Sequence, residues 1–329
     1  MTRWLVVGAG GMLGHDLVDL LRGQEATDVT ALTGAQLDVA DSGAVHDAVG
    51  DVAARAGGGR AVVLNAAAYT AVDAAESDVE AAHRVNAEGP ANLAAACSRA
   101  GARLVHVSTD YVFSGDCPGG AGIPYAEDAP PAPRSAYGRT KAAGERAVLS
   151  GLPERGYVVR SAWLYGEAGG SFVRTMARFA RARVPAGPAG PAGPAGPAGP
   201  AGPAGPAGPA GVVDVVDDQR GQPTWTRQLA SGLLALARSD AAPGLYHCTN
   251  AGETTWYGLA RAVFEEVGAD PERVRPTTTD RFPRPAPRPA YSVLGGARWR
   301  AAGLPPLPHW RDALREAFAT CRLLREAES

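Results

Sequence analysis

The chain has 329 residues, 45% of them hydrophobic and 20% charged, enough for one large or two modest domains around a packed core. A net charge of −2 excludes a general electrostatic pull toward nucleic acid or anionic membranes. No apolar run approaches the roughly 20 residues of a membrane-spanning helix. Cys97, Cys117, Cys248 and Cys321 show no CxxC spacing and the histidines form no HExxH. Both facts argue against a zinc site or a disulfide framework. Met-Thr-Arg-Trp-Leu-Val-Val-Gly enters a strand-like run at once, without a cleavable signal pattern, so the cytoplasm is the expected compartment.

In chain order, short apolar runs alternate with helical patterns. Strands are expected at 4–7, 29–32, 61–64, 103–107 and 157–160, and helices at 12–21, 42–55, 79–99 and 136–149. This alternation predicts an α/β fold with a doubly wound parallel sheet of the Rossmann type, its ligands at the carboxyl ends of the strands. Residues 1–160 are thus expected to form a dinucleotide-binding domain. A helix at 172–183 precedes a Pro-Ala-Gly triplet repeat at 185–211, which offers no charge and no apolar side chain larger than alanine. Nothing in it offsets the entropy of ordering, so the expectation is a solvated, polyproline-like loop without function. Structure resumes at 212–216. A helix at 226–238 and a strand at 244–248 should return to the main sheet, followed by a helix at 255–267, an Arg- and Pro-rich loop at 281–289 and a last helix at 309–327. Segments 161–184, 212–225 and 249–329 are left for a smaller, C-terminal substrate-binding domain.

Three motifs carry chemistry. Gly8-Ala9-Gly10-Gly11-Met12-Leu13-Gly14 follows the first strand. Gly8 permits a tight turn, Gly11 lets a pyrophosphate approach the backbone, and Gly14 permits close packing of a helix whose N-terminus attracts negative charge. Ser108-Thr109-Asp110 follows the fourth strand, placing hydroxyls where a doubly wound sheet binds ligands; a capped turn would look the same. Tyr137 and Lys141 stand at i and i+4 on a helix, so an ammonium can lower the phenol's pKa from about 10. Tyr-x3-Lys occurs often by chance. The three motifs in this order and at these separations make one site a better account than three coincidences.

With these segments the chain resembles the extended short-chain dehydrogenases/reductases, and within them the dTDP-4-dehydrorhamnose reductases. GAGGMLG, LNAAAYTAVDAAE, VNAEGPANLA, VHVSTDYVFSG, YGRTKAAGE, VVRSAWLYG, VVDDQRGQPT, GLYHCTN and FPRPAPRP match in order, over nearly the whole chain except the repeat. The resemblance implies reduction of dTDP-4-dehydro-L-rhamnose to dTDP-L-rhamnose by hydride transfer from NAD(P)H, the last step of dTDP-L-rhamnose biosynthesis. It implies Thr109, Tyr137 and Lys141 as the catalytic set. For the cofactor it implies Gly8, Gly11, Met12 and Leu13 at the pyrophosphate, Asp38 and Val39 at the adenine, and Ala66, Ala67 and Ala68 along the trough, with Tyr137 and Lys141 at the nicotinamide end. Thr109, Asp110 and Trp163 fall at substrate-side positions, and Arg288 is a candidate partner of the diphosphate because a guanidinium fork suits phosphate oxygens.

Two departures qualify the match. The end of the second strand reads Ala31-Leu32-Thr33-Gly34-Ala35, without the acid that binds a ribose 2′-hydroxyl, so NADPH, or use of both NADPH and NADH, is expected. Some relatives hold Mg²⁺ at a dimer interface through paired glutamates. Here the matching positions are Asp16 and Arg227, and because an arginine is no metal ligand, no metal residues are assigned, Mg²⁺ stays open, and the assembly is a monomer or a homodimer. The expected partner is a nucleotide sugar, with neither nucleic acid nor membrane. Two other readings stand beside this one: a related NDP-4-ketodeoxysugar reductase, and a non-catalytic NADP-binding regulatory subunit of the kind that serves a methionine adenosyltransferase.

Overall fold

A computed structural model describes residues 2–24, 28–116, 122–182 and 211–321. The triplet repeat apart from Gly211, Cys117, Arg183 and residues 322–327 of the expected last helix lie outside the described residues.

The first half runs β1 (Thr2–Val7), α1 (Met12–Arg22), β2 (Asp28–Leu32), α2 (Ser42–Arg55), β3 (Arg60–Asn65), α3 (Val79–His83), α4 (Gly89–Ala100), β4 (Arg103–Thr109), α5 (Ala136–Gly151) and β5 (Gly156–Ser161). The second half is made of β6 (Leu164–Tyr165), α6 (Phe172–Arg181), β7 (Val213–Val216), β8 (Arg220–Gly221), β9 (Thr224–Trp225), α7 (Thr226–Arg238), β10 (Gly244–His247), β11 (Asn250–Ala251), β12 (Thr254–Thr255), α8 (Trp256–Glu266), β13 (Val274–Thr277), α9 (Ala297–Ala301), β14 (Leu307–His309) and α10 (Trp310–Thr320).

Six strands form one sheet in the order β10-β5-β4-β3-β1-β2, and every pairing in it is parallel. Successive side chains of a strand point to opposite faces, and both faces here are covered. On β1, Trp4 and Val6 enter a core with Leu13, Leu17 and Leu21 of α1 and Leu229 and Leu233 of α7. Leu5 and Val7 enter the opposite core with Val45 and Val49 of α2, Leu93 of α4 and Val148 of α5. From β1 the chain winds outward to β2 and then returns to β3 on the other side. The strand order therefore reverses between β1 and β3, and their carboxyl ends open the crevice where such sheets bind ligands.

A separate core lies outside this sheet, where Tyr165, Phe172, Met176, Val215, Trp225, Phe264, Leu314 and Phe318 pack together. β13 pairs with β7, and β6 with β9, in two-stranded pieces too short to carry a periodic signal in the sequence.

Two expected helices are corrected. The helix expected over 79–99 is broken by a π turn at Arg84–Glu88. The widened turn carries Asn86, whose side chain accepts from Tyr69 N at 2.9 Å and donates to Tyr69 O at 3.1 Å and Thr140 Oγ1 at 3.2 Å. It also presses the Asn86 carbonyl onto α5, where a Cβ on Gly144 would stand 2.1 Å from that oxygen. The last helix ends at Thr320, earlier than the sequence pattern indicates, because Cys321 turns to extended backbone at ψ 117°. Among the described residues no helix is long and apolar enough to cross a membrane.

Candidate active site

The glycine turn stands at the switch point. Gly8 has φ +80°, and a Cβ there would lie 2.5 Å from Ala67 N; a Cβ on Gly14 would lie 2.1 Å from Gly8 O. These two contacts make β1, α1 and the Ala66–Ala67 segment after β3 a single tight unit. Gly11 is the N-cap of α1 and gives it no side-chain cap, so backbone N–H groups of the first turn are left for an outside acceptor. That exposed helix start beside a glycine cradle fits a dinucleotide pyrophosphate. Met12 begins the helix. The Leu13 side chain is core, so only its backbone faces such a ligand. Asp38 accepts from Ala40 N at 2.9 Å and pairs with Arg84 at 3.2 Å in an exposed position. Val39 is buried, close enough to α4 that only glycine fits at position 89. Ala68 continues the segment after Ala67.

Thr109 ends β4 and caps the short 3-10 turn Asp110–Val112. Its hydroxyl accepts from Tyr111 N at 3.2 Å and donates to Asp110 Oδ1 at 3.0 Å. Tyr137 lies in the first turn of α5, which Ser135 caps by accepting from Gly138 N at 3.0 Å. Gly138 lets the helix press against the preceding loop, since a Cβ there would meet Tyr111 O at 2.2 Å. Tyr111 and Tyr137 then meet edge to face at 5.6 Å.

Burial dominates the electrostatics. It pushes the Tyr137 phenol up to about 12, with the nearby Thr109 hydroxyl pulling the other way and Asp110 adding to the rise. It raises Asp110 to about 6 against lowering by Ser292 and Thr109. The Ser292 hydroxyl is near enough to act on that charge yet outside hydrogen-bond geometry, because Asp110 Oδ2 and Ser292 Oγ have no partner among the described residues. Lys141, one turn beyond Tyr137, is buried and donates to Val107 O at 2.6 Å. Burial pulls it down to about 8, opposed by Glu145. The sequence leads one to expect Lys141 to lower the phenol's pKa directly. Here Lys141 Nζ donates to the Val107 carbonyl of β4, and the influences acting on the phenol are burial, Thr109 and Asp110.

Thr109, Asp110, Tyr137, Trp163 and Arg288 converge on one cleft of about 590 Å³. The cleft lies between the strand ends and the second core. Trp163 sits at φ +49°, the described non-glycine residue with a left-handed backbone, and stacks on Trp256 at 3.7 Å. Arg288 donates to Asp73 Oδ2 at 2.8 Å and to Ala286 O at 2.9 Å, and Arg284 lies 3.8 Å from the same carboxylate. Asp73, Arg284, Trp256 and Gln219 line the cleft and were not singled out from the sequence. Asp73, Gln219 and Arg284 fall inside the quoted segments LNAAAYTAVDAAE, VVDDQRGQPT and FPRPAPRP; Trp256 carries no signal of its own. Of the positions matched to a metal pair, Asp16 is buried and accepts from Thr226 Oγ1 at 2.5 Å, while Arg227 pairs with Asp19 at 2.7 Å. No group of three or more metal-ligating side chains occurs among the described residues.

A parallel doubly wound sheet with a glycine turn at its switch point, a strand-end threonine and a Tyr-x3-Lys helix defines the short-chain dehydrogenase/reductase class. Within it, the chain belongs to the family described as RmlD substrate binding domain, which it matches over residues 2–186 and 207–323. It is 50% identical over 320 residues to a dTDP-4-dehydrorhamnose reductase of Streptomyces griseus, covering 96% of this chain and 93% of that one. It is 52% identical over 323 residues to a probable dTDP-4,6-dihydroxy-2-methyloxan-3-one 4-ketoreductase of Streptomyces antibioticus, covering 96% and 94%. A crystal structure of dTDP-4-dehydrorhamnose reductase from Bacillus anthracis in complex with NADP superposes with a TM-score of 0.81 at 31% identity, covering 96% of this chain and 98% of that one.

Proposed function

We propose that this protein reduces dTDP-4-dehydro-L-rhamnose to dTDP-L-rhamnose with NADPH, or with either NADPH or NADH. The observation that carries the reading is the convergence of Thr109 and Tyr137 on one cleft, in a chain 50% identical to a dTDP-4-dehydrorhamnose reductase. The glycine turn and the uncapped start of α1 hold the pyrophosphate, with Asp38, Val39 and Ala66 to Ala68 along the rest of the cofactor. When bound, the nicotinamide supplies the hydride to C4. Tyr137, kept protonated by burial, gives its proton to the C4 oxygen, as a general acid must. Thr109 orients the ketone, and Lys141 holds the ribose beside Tyr137. Residues of the second core and the 281–289 loop bind the nucleotide sugar, with Trp163 against the sugar and Arg288 and Arg284 near the diphosphate. The lean to NADPH rests on the end of β2, where Leu32 is followed by Thr33, bonded to Gln36, and no carboxylate repels a 2′-phosphate.

The relative at 52% identity acts on a different 4-keto sugar by its name, which favours keeping a second reading: the same chemistry on another dTDP-4-ketodeoxysugar. One assay decides. The protein receives dTDP-4-dehydro-L-rhamnose, made in place by the upstream dehydratase and epimerase, with NADPH or NADH, and the product is identified by NMR. Formation of dTDP-L-rhamnose supports the reading. A folded protein that binds NADPH and does not turn over overturns it in favour of another ketosugar or of a regulatory subunit.

A further inference from the structure

His106 lies on β4 three residues before Thr109 and is fully buried. Its Nδ1 is 3.0 Å from Asn65 Nδ2 and its Nε2 is 3.5 Å from Lys141 Nζ. The orientation of the Asn65 amide is dictated by a third group: Asn65 Oδ1 accepts from Ala67 N at 3.1 Å, and a backbone N–H cannot face an amide NH₂. The NH₂ therefore donates to His106 Nδ1, and the proton of the neutral imidazole resides on Nε2. That N–H points at Lys141. An ammonium has three N–H groups and no lone pair, so it would oppose a donor with a donor. The neutral amine accepts from Nε2–H and still donates to Val107 O.

We infer that His106, held in one tautomer by Asn65, is a positioning residue that favours the neutral form of Lys141 and so sets the pH at which this lysine changes charge beside Tyr137. Burial is the larger influence on Lys141, and the hydrogen-bond preference of His106 acts in the same direction. Glu145, one turn further along α5, favours the ammonium and opposes them, though both its oxygens are held by Arg160 of β5 at 2.8 and 2.7 Å. Tyr137 and Asp110 stand toward the cleft. His106 itself stays neutral, because burial first and the Lys141 charge second hold it well below its ordinary value, and burial brings Lys141 to about 8.

The importance of this pairing for turnover rests on the proposed roles of Tyr137 and Lys141, but its first test does not. The full chain is labelled with ¹⁵N-histidine, and two-bond ¹H–¹⁵N NMR reads the tautomer. His106 is expected in the Nε2–H form, not titrating between about pH 6 and 9, its shifts inflecting near 8 as Lys141 loses its proton. The inflection should vanish in Lys141→Met. Asn65→Asp keeps the shape and puts an acceptor where the NH₂ was. It should turn His106 to the Nδ1–H form and move the inflection, together with the alkaline limb of kcat, up by about one pH unit or more. A wild-type His106 in the Nδ1–H form, or a tautomer change in Asn65→Asp that leaves the inflection in place, overturns the inference. Tautomer and inflection as expected in a protein that reduces no ketosugar would support it and overturn the proposed reaction instead.

Discussion

Trp163 lies flat on Trp256, their ring centroids 3.7 Å apart and their planes 7° from parallel. Trp163 holds φ +49° to do so, a conformation that costs a bulky residue about 1–3 kcal/mol and persists only when its surroundings impose it. Gly221 is one such surrounding, since a Cβ there would stand 2.4 Å from the indole. The stack ties the end of β5 to the start of α8 and walls the cleft. In Trp256→Ala the wall loses its backing, and KM for the nucleotide sugar should rise about 10-fold, an aromatic contact of roughly 1–1.5 kcal/mol, with a smaller change in kcat. Steady-state kinetics checks this; an unchanged KM would leave the stack a matter of folding alone.

Tyr137→Phe keeps the ring that packs on Tyr111 and removes the proton donor. Turnover should fall about 100-fold or more while the melting temperature and NADPH affinity stay close to wild type. Near-normal turnover would remove Tyr137 from the acid role.

Much of this was legible in the sequence because strong periodicity and glycine punctuation reflect local physics. The runs 4–7, 61–64 and 103–107 alternate toward two buried faces, and the helices beside them follow a helical period. Placement was legible where a residue sits at a turn: Gly8 and Gly11 between β1 and α1, and Thr109 at the end of β4. Asn86 was not, because the break at Arg84–Glu88 comes from contacts with Tyr69 and Thr140, which lie far away in sequence. Nor was the direction of Lys141: helical spacing places it beside Tyr137, but the carbonyl of Val107 decides where its ammonium goes. The ties of Arg288 and Arg284 to Asp73 join residues more than 200 positions apart, beyond any local pattern.

Asp110 makes stability depend on pH in an unusual direction. Its carboxyl is raised from 3.8 to about 6 by burial, so the fold prefers it protonated. The stability this confers is complete below its unfolded value and is lost as pH rises through about 6. Asp110→Asn is neutral at every pH. Its unfolding free energy relative to wild type should therefore improve between pH 4 and pH 8 by up to roughly 3 kcal/mol, the equivalent of about two pKa units. Urea titrations at the two pH values measure the change. A difference that does not vary with pH would mean that Asp110 is not strained by its charge.

Arg160 and Glu145 form a bidentate pair in the interior, their side chains only 2% and 3% exposed. The guanidinium also lies 4.7 Å above the Phe113 ring. Such a pair adds little over well-packed apolar groups, because desolvation offsets the attraction, yet removing one member leaves the other charge buried without its partner. Glu145→Gln should therefore cost about 3–5 kcal/mol in urea unfolding. The double replacement Glu145→Leu with Arg160→Met should cost clearly less than the sum of the two single changes, since neither charge is then stranded. Additive losses would show that the two side chains act independently, and that α5 is held against β5 by its apolar residues alone.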